Sequence, residues 1–173
     1  RGIDPATAKN VISLPEQMVN GKMDDLVTDK NSRIPHIILG QTLALDLRVT
    51  VGNKIRLISP AGPLTPMGVI PKIKTCLVAG IFKSGMHEYD GNLAFMALGD
   101  VQDFLEVGDV AHGIEVAVTR NQLNNADVVG KAIRKKLGPG TVAKDWMAMN
   151  HNLFAAFKLE KIGMFICLAL IIL

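Results

Sequence analysis

The feature that most constrains this chain is an apolar run at its C-terminal end, residues 162–173, which contains no charged residue and no proline. A helix that covers a small core is usually apolar along one stripe, whereas this run would be apolar on every side. Because a span of the bilayer takes about 20 apolar residues, the run predicts the start of a transmembrane helix. A buried core helix is the alternative. Since neither end resembles a natural terminus, we expect the chain to be a segment of a longer protein.

Composition sets only loose bounds on function. The chain has 173 residues, 49% of them hydrophobic, and a net charge of +3. This length allows one domain or two small ones. The one basic cluster, residues 134–136, ends a predicted helix, where cations suit the helix dipole, so a nucleic-acid partner is not indicated. Cys76 and Cys167 lie in a predicted strand and in the apolar run, and we do not expect them to form a disulfide.

Hydrophobic periodicity mixes strands with helices along the chain, which predicts an α+β fold. Residue 100 is the expected N-cap of its helix. The predicted strands cover residues 34–40, 55–59, 73–82, 92–98, 112–119 and 141–143, and the predicted helices cover residues 41–47, 100–105 and 125–137 and continue from residue 145 into the apolar run.

Motifs for catalysis and metal binding are not found in the sequence. The glycines near Pro63 and Pro139 do not form a phosphate-binding loop, because prolines remove amide donors and no Lys-Ser/Thr pair follows. No Gly-x-Ser-x-Gly nucleophile elbow occurs. Glu88 and Asp90 are interpreted as part of a solvated turn. The histidines are isolated from one another and from the cysteines; they are His36, His87, His112 and His151. The sequence therefore predicts no enzymatic role, no metal and no cofactor in this chain.

A proline-rich loop, residues 60–71, is the most informative segment. It holds half of the eight prolines of the chain and joins two predicted strands, where 2–5 residues is usual. Proline stiffens the loop, and a stiff loop loses less entropy on binding. Its apolar side chains either pack back onto their own domain or form a hook for an apolar cavity of a partner. Arg56, Lys72 and Lys74 flank the loop and form either a pad for an acidic partner or a solvated strand edge.

Short motifs follow one another in a fixed order along nearly the whole chain. They are Arg1-Gly2-Ile3-Asp4-Pro5, Ile38-Leu39-Gly40, Val51-Gly52-Asn53-Lys54-Ile55, Ser59-Pro60, Thr65-Pro66-Met67-Gly68, Gly80-Ile81-Phe82, Ser84-Gly85-Met86, Gly113-Ile114-Glu115-Val116, Asp145-Trp146 with Asn150, and Leu159-Glu160-Lys161. In this order the motifs resemble the periplasmic domain of lipoprotein-releasing ABC-transporter membrane subunits, the LolC/LolE family. The Thr-Pro-Met-Gly loop favours this branch over the related macrolide exporters.

The resemblance implies a MacB-like periplasmic core domain over residues 1–160, with a ferredoxin-like βαβ module and a β-rich lobe that bears the hook. Residues 161–173 would begin the transmembrane helix. The implied function is to extract lipoproteins from the bacterial inner membrane and to pass them to the periplasmic chaperone LolA. The implied partners are a LolD-type ATPase, which would bind ATP and magnesium, and a second LolC/LolE-type subunit. A MacB/FtsX-like mechanotransmission or efflux subunit with another periplasmic partner is the alternative.

The resemblance also implies which residues contact the chaperone. Arg56 matches the pad arginine of the family, Lys74 stands where the family has a basic residue, and Ile73 stands where a polar one is common. Because the hook is typical of LolC while the segments at Ser84 and Gly108 resemble LolE, a hybrid subunit acting as a homodimer is a further hypothesis. The implied hook residues are Pro60, Pro63, Leu64, Thr65, Pro66, Met67, Gly68, Ile70 and Pro71, and the implied pad residues are Arg56, Lys72 and Lys74.

Overall fold

Two units make up the chain, residues 1–117 and residues 118–173. The computed structural model describes residues 1–27, 34–60, 62, 64–66, 68–119, 121, 125–138, 140, 142–145, 149 and 151–172. The first unit contains the sheet and the hook. The described residues of the second form two α-helices.

The strands of the first unit are β1 (Gly2–Ile3), β2 (Met18–Asn20), β3 (His36–Gly40), β4 (Lys54–Ser59), β5 (Leu64–Thr65), β6 (Gly68–Val69), β7 (Lys72–Phe82) and β8 (Ala94–Ala97). This unit is built on a mixed sheet in the order β1-β8-β3-β7-β2, and β4 also pairs with β7. The pairs β3–β7 and β1–β8 are parallel, whereas β8 runs antiparallel to β3, and both β2 and β4 run antiparallel to β7.

In the first unit, short helices cover the sheet and connect its strands. They are α1 (Pro5–Ala8), α2 (Leu14–Gln17), a 3₁₀ turn (Met23–Leu26), α3 (Gln41–Asp46), α4 (His87–Asn92) and α5 (Leu98–Leu105). The described helices of the second unit are α6 (Ala126–Leu137) and α7 (His151–Ile172).

The central strand β3 is buried on both faces, which explains its nearly continuous apolar sequence. Ile38 points into one core, where Phe82 and Phe95 meet edge to face with ring centroids 5.4 Å apart. Such a ring pair contributes about 0.5–1.5 kcal/mol beyond its buried area. Ile37 and Leu39 point into the opposite core. The two cores hold β3 and the C-terminal half of β7 rigidly at the centre of the unit.

Strand β7 extends beyond this central sheet. Its residues Leu77–Phe82 pair with β3, while its residues Lys72–Leu77 pair with β4. We call β4 together with residues 72–77 the ribbon. The loop of residues 60–71, the hook, connects the two strands of the ribbon at its far end. The structure therefore carries the hook on a two-stranded extension of the sheet.

The predicted α+β class is confirmed, and β3, β4, β7, β8, α3 and α6 lie where periodicity predicted them. The MacB-like assignment and the ferredoxin-like module stay predictions. Ahead of α7, the backbone N–H of Met149 donates a hydrogen bond of 3.1 Å to the carbonyl of Asp145. Within the described part of the chain, no helix combines the length and the apolarity that crossing a membrane requires. That residues 161–173 begin a transmembrane helix stays a prediction.

Four local predictions are wrong. Residues 112–119 lie in no strand, and Ile114 is 88% exposed, because the alternating pattern needs a neighbouring strand and none of the described strands pairs with it. Val142 and Ala143 are not in a strand. The N-cap of α5 is Ala97 rather than Asp100, because the helix follows β8 directly. Residues 88 and 90 lie in α4, not in a solvated turn.

Candidate partner-binding hook and ribbon

The ribbon has two faces whose residues the strand register assigns. Residues directly opposite each other in an antiparallel pair point to the same side. Arg56 is opposite Thr75, and Ile58 is opposite Ile73; we call this side the outer face. The inner face carries the pairs Leu57–Lys74 and Ser59–Lys72. The sequence of β4 alternates accordingly, with Lys54, Arg56 and Ile58 exposed and the residues between them partly buried.

The outer face exposes an apolar pair beside a cation. Ile58 is 60% exposed and Ile73 is 57% exposed. Arg56, also exposed, lies two residues before Ile58 on the same face. Adjacent exposed apolar side chains are typical of an interaction surface. Ile73 stands where the family commonly has a polar residue. It therefore adds exposed apolar surface area next to Arg56.

The hook contains a small hairpin of its own. Strands β5 and β6 pair through Leu64–Val69 and Thr65–Gly68, and Pro66 lies exposed between them. Val69 and Ile70 are exposed as well. Gly68 has a φ of 113°, which favours glycine at this turn. Pro63 and Met67 of the predicted hook lie outside the described residues.

The base of the hook is closed by a tight approach of its two arms. A Cβ on Gly62 would collide with the carbonyl oxygen of Ile70. The backbone N–H of Gly62 donates to the carbonyl of Pro60 over 3.0 Å. Pro60 and Pro71, at the two ends of the loop, are exposed. Only glycine fits between these arms, so Gly62 fixes how the hook leaves the ribbon.

Lys72 is engaged within its own domain. Its Nζ lies 2.7 Å from Oε2 of Glu106 and donates to the carbonyl of Leu105 over 3.2 Å, and its side chain is 16% exposed. Glu106 is largely exposed, and an ion pair of this kind contributes about 0.2–1 kcal/mol. Lys74 shares the inner face but is exposed. The structure thus places Arg56 on the opposite side of the ribbon from Lys72 and Lys74.

A buried carboxylate organises the turn that follows β7. Asp90 accepts hydrogen bonds from the N–H of Ser84 at 2.7 Å, from the Ser84 hydroxyl at 2.8 Å and from the N–H of Gly85 at 3.3 Å. The bond from the Ser84 backbone is the main reason why the pKa of Asp90 lies below its usual value. The backbone of Asp90 also packs against Gly40, where a Cβ would collide with the carbonyl oxygen of Asp90. This aspartate therefore has a structural role.

The described residues offer little for catalysis. Among them, no group of three or more His, Cys, Asp or Glu could hold a metal ion. Burial raises the pKa of the Cys76 thiol, which disfavours the reactive thiolate.

A concavity of 260 Å³ lies between the ribbon, the sheet and α5, and its walls are mainly apolar; they include Leu57, Ser59, Met96, Val101, Phe104 and Leu105.

Sequence reasoning missed three residues of this region. The sequence pattern marks Gly62 only as unsuited to a phosphate-binding loop, predicts a solvated turn at Asp90 and gives no signal at Glu106. A glycine between two prolines was a usable signal for a tight loop base. Nothing in the local pattern indicated that Glu106 would meet Lys72, 34 residues earlier in the sequence.

Comparisons with known proteins agree with the resemblance seen in the motifs. No family model matches the chain. A protein named "Lipoprotein-releasing system transmembrane protein LolC" from Neisseria meningitidis is 34% identical over 172 residues, which cover 99% of this chain and 40% of that protein. Proteins of the same name from two strains of Xylella fastidiosa are each 31% identical over the same shares. The chain thus spans about two fifths of the length of these relatives.

Over nearly its whole length the chain is therefore similar to a part of proteins that are named for lipoprotein-releasing systems. The resemblance to the LolC/LolE family that the motifs indicate is confirmed by these relatives.

Proposed function

We propose that this chain is the hook-bearing periplasmic part of an inner-membrane subunit of an ABC transporter that extracts lipoproteins and passes them to a LolA-type chaperone. The similarity to LolC proteins over 99% of the chain supports the transporter assignment. The partners would be a LolD-type ATPase, which binds ATP and magnesium, a second LolC/LolE-type subunit, and the lipoprotein itself. This chain would be non-catalytic and would begin the transmembrane helix at residues 161–173.

The exposed hairpin of the hook is the observation that carries the chaperone proposal. Val69 and Ile70 do not pack back onto the sheet, and Pro66 is exposed at the turn. Burying apolar area of this kind stabilises a complex by about 25 cal/mol per Å². An apolar hook suits a chaperone that accepts lipid, because the cavity for acyl chains has to be apolar.

The outer face of the ribbon extends this proposed surface. Arg56, Ile58 and Ile73 are exposed on one side next to the hook. A partner that receives the hook can cover these three side chains at the same time. Arg56 would then pair with an acidic group of the chaperone, and the two isoleucines would contribute apolar area. Lys74, on the inner face, would lie at the edge of this contact.

The test is capture of the purified LolA-type chaperone from the same organism by this chain. We expect replacement of residues 62–70 by a Gly-Ser linker of equal length to abolish capture while circular dichroism and melting stay unchanged. Lys54→Glu, at the opposite end of the ribbon, is the control and should capture normally.

Equal capture by the linker variant would contradict the hook assignment. Capture of an efflux adaptor or a cell-wall hydrolase, together with indifference to the chaperone, would favour the MacB/FtsX-like alternative. One membrane-subunit gene beside the ATPase gene would support the hybrid homodimer, whereas two different subunit genes would exclude it.

A further inference from the structure

The contact between Lys72 and the end of α5 joins the hook to the body of its unit. Lys72 is the first residue of β7 and follows the last residue of the hook, Pro71. Its ammonium meets both the carboxylate of Glu106 and the carbonyl of Leu105, the last residue of α5. A cation at this position complements the negative end of a helix dipole. The side chain therefore reaches from the base of the hook to a fixed point on α5.

The conformation of Glu106 is a second, independent observation. Glu106 has a φ of 58° and caps α5 in the left-handed region. Glycine is the usual residue in this conformation because any Cβ costs energy there. The helix end is otherwise closed in the ordinary way, since the N–H of Glu106 and the N–H of Val107 both donate to the carbonyl of Gln102. Glutamate is less stable than glycine in this left-handed conformation, but its side chain gains the bond to Lys72.

The space beneath the ribbon shows why such a contact matters. The concavity of 260 Å³ is lined by Leu57 and Ser59 of the ribbon and by Phe104 and Leu105 of α5. The ribbon and α5 are therefore separated here rather than closely packed. Ser59 is the residue opposite Lys72 in the strand register, so Lys72 crosses to α5 at the hook end of this gap.

We propose that the Lys72–Glu106 pair is a strut that holds the ribbon at a fixed angle to α5 and so presents the hook in its binding orientation. Lys72 is then a positioning residue and does not contact the chaperone. This inference rests on the proposed function for its binding readout. It also makes a structural claim, a fixed distance between hook and α5, that can be measured without any partner.

The binding test is calorimetric titration of the LolA-type chaperone into the whole chain. Lys72→Met and Glu106→Gln should each weaken binding about two- to fivefold, because part of the binding free energy is then spent on ordering the ribbon. Lys72→Arg keeps a cation and should bind nearly as wild type does. Lys54→Met, the same change at the other end of the ribbon, is the matched control and should have no effect.

Glu106→Gly separates positioning from simple stabilisation. The substitution relieves the left-handed conformation and should raise the melting temperature or leave it unchanged, yet it should weaken binding as much as Glu106→Gln does. If the contact only stabilised the fold, the melting temperature and the affinity for the chaperone would change in the same direction. If Lys72 touched the chaperone directly, Lys72→Met would weaken binding while Glu106→Gln would not, and the strut would be overturned.

The partner-free test measures a distance between spin labels at Pro66→Cys in the hook and Asp103→Cys on α5. Cys167→Ser removes the exposed native thiol, and Cys76 is fully buried. We expect Lys72→Met to broaden the distance distribution and Lys54→Met to leave it unchanged. Equal widths in all variants would overturn the strut even if the chaperone binds. A wild-type chain that shows the narrow distribution but binds no chaperone would contradict the proposed function and leave the strut standing.

Discussion

Gly62 is the residue at which a single substitution would most alter the shape of the hook. In Gly62→Ala the new methyl group collides with the carbonyl of Ile70, so the two arms of the hook have to separate. We expect chaperone binding to weaken by about tenfold or more, measured by calorimetric titration, with little change in the melting of the sheet. Gly113→Ala is the matched control, since a Cβ at Gly113 meets nothing within 4 Å. Equal binding by both variants would contradict a fixed hook base.

Asp90 predicts how the first unit responds to acid. Its pKa is lowered from the usual 3.8, first by the backbone hydrogen bond from Ser84. A carboxylate with a lowered pKa stabilises the fold above its usual pKa, and this stabilisation is lost as the pH falls below that value. We therefore expect Asp90→Asn to lower the melting temperature at pH 7, and the difference from wild type to shrink towards pH 3.

The control for the acid prediction is Asp103→Asn, at an exposed position of α5. It should leave the dependence of the melting temperature on pH as in wild type. A constant difference between Asp90→Asn and wild type across this range would show that the carboxylate charge is not what holds the turn.

At the residue scale, the sequence indicated exposure better than it indicated contacts. The prolines of the hook and Arg56 are exposed where the structure describes them. The ion pair of Lys72 depends on Glu106, which is distant in sequence, and no local pattern carries that information. The bonds of Asp90 come from Ser84 and Gly85, a few residues earlier, but a turn of this kind has no hydrophobic period that would reveal them. Lys72 was predicted as part of a pad because its position beside the loop was visible, while its partner Glu106 was not.

At the scale of elements, the outer face of the ribbon carries its own prediction. Ile58→Thr with Ile73→Thr keeps β-branched side chains in both strands and removes exposed apolar area. We expect the double variant to bind the chaperone about tenfold more weakly, while its free energy of unfolding stays within about 0.5 kcal/mol of wild type, as is usual for exposed positions. Chaperone titration and urea unfolding measure the two quantities.

Val19→Thr is the control for the outer face, because Val19 is an exposed β-branched residue of β2. It should bind as wild type does. If both chains bind equally well, the chaperone does not use the outer face, and the hook alone would account for capture.

Elements with a strong apolar pattern were predictable, and elements set by pairing were not. The buried sequence of β3 and the alternation of β4 identify these strands without a structure. Strands β1 and β2 have two and three residues, which are too few to show a hydrophobic period. They form because β1 can pair with the edge of β8 and β2 with the edge of β7. Residues 112–119 have a better alternating pattern than either but no such edge among the described strands.

At the scale of the whole molecule, charge is distributed unevenly between the two units. Residues 118–173 carry eight basic and three acidic residues, a net charge of +5, whereas residues 1–117 carry eleven basic and thirteen acidic residues, a net charge of −2. The unit with the apolar helix α7 is thus the basic one. The overall value of +3 conceals this contrast, and the unit boundary after residue 117 was not marked by any sequence signal.

Helix α7 carries the prediction at this scale. Its 22 residues form a rod of about 33 Å, and we expect it to couple the transporter to the periplasmic part. Ala156→Pro should kink the rod, because proline in a helix interior costs about 3 kcal/mol or more. In the full-length transporter, lipoprotein release should fall sharply, while ATP hydrolysis and chaperone binding persist.

Ala156→Ser at the same position is the control and should release lipoprotein normally. Release by the proline variant at the wild-type rate would show that a straight α7 is not needed for coupling. Release assays in reconstituted membranes, with ATP hydrolysis followed in parallel, measure both quantities.

The continuity of β7 has a mechanical consequence for the hook. A single strand runs from Lys72 at the hook to Phe82 in the core, and its inner half is bonded side by side to β3. Because the hydrogen bonds of a parallel pair run from strand to strand, slanted but evenly spaced, a pull on the hook along the ribbon loads these bonds together, in shear, instead of opening them one after another. A force applied to the hook along this axis is therefore opposed by all the hydrogen bonds between β7 and β3 at once. A force across the ribbon would instead break the bonds between β4 and β7 one pair at a time.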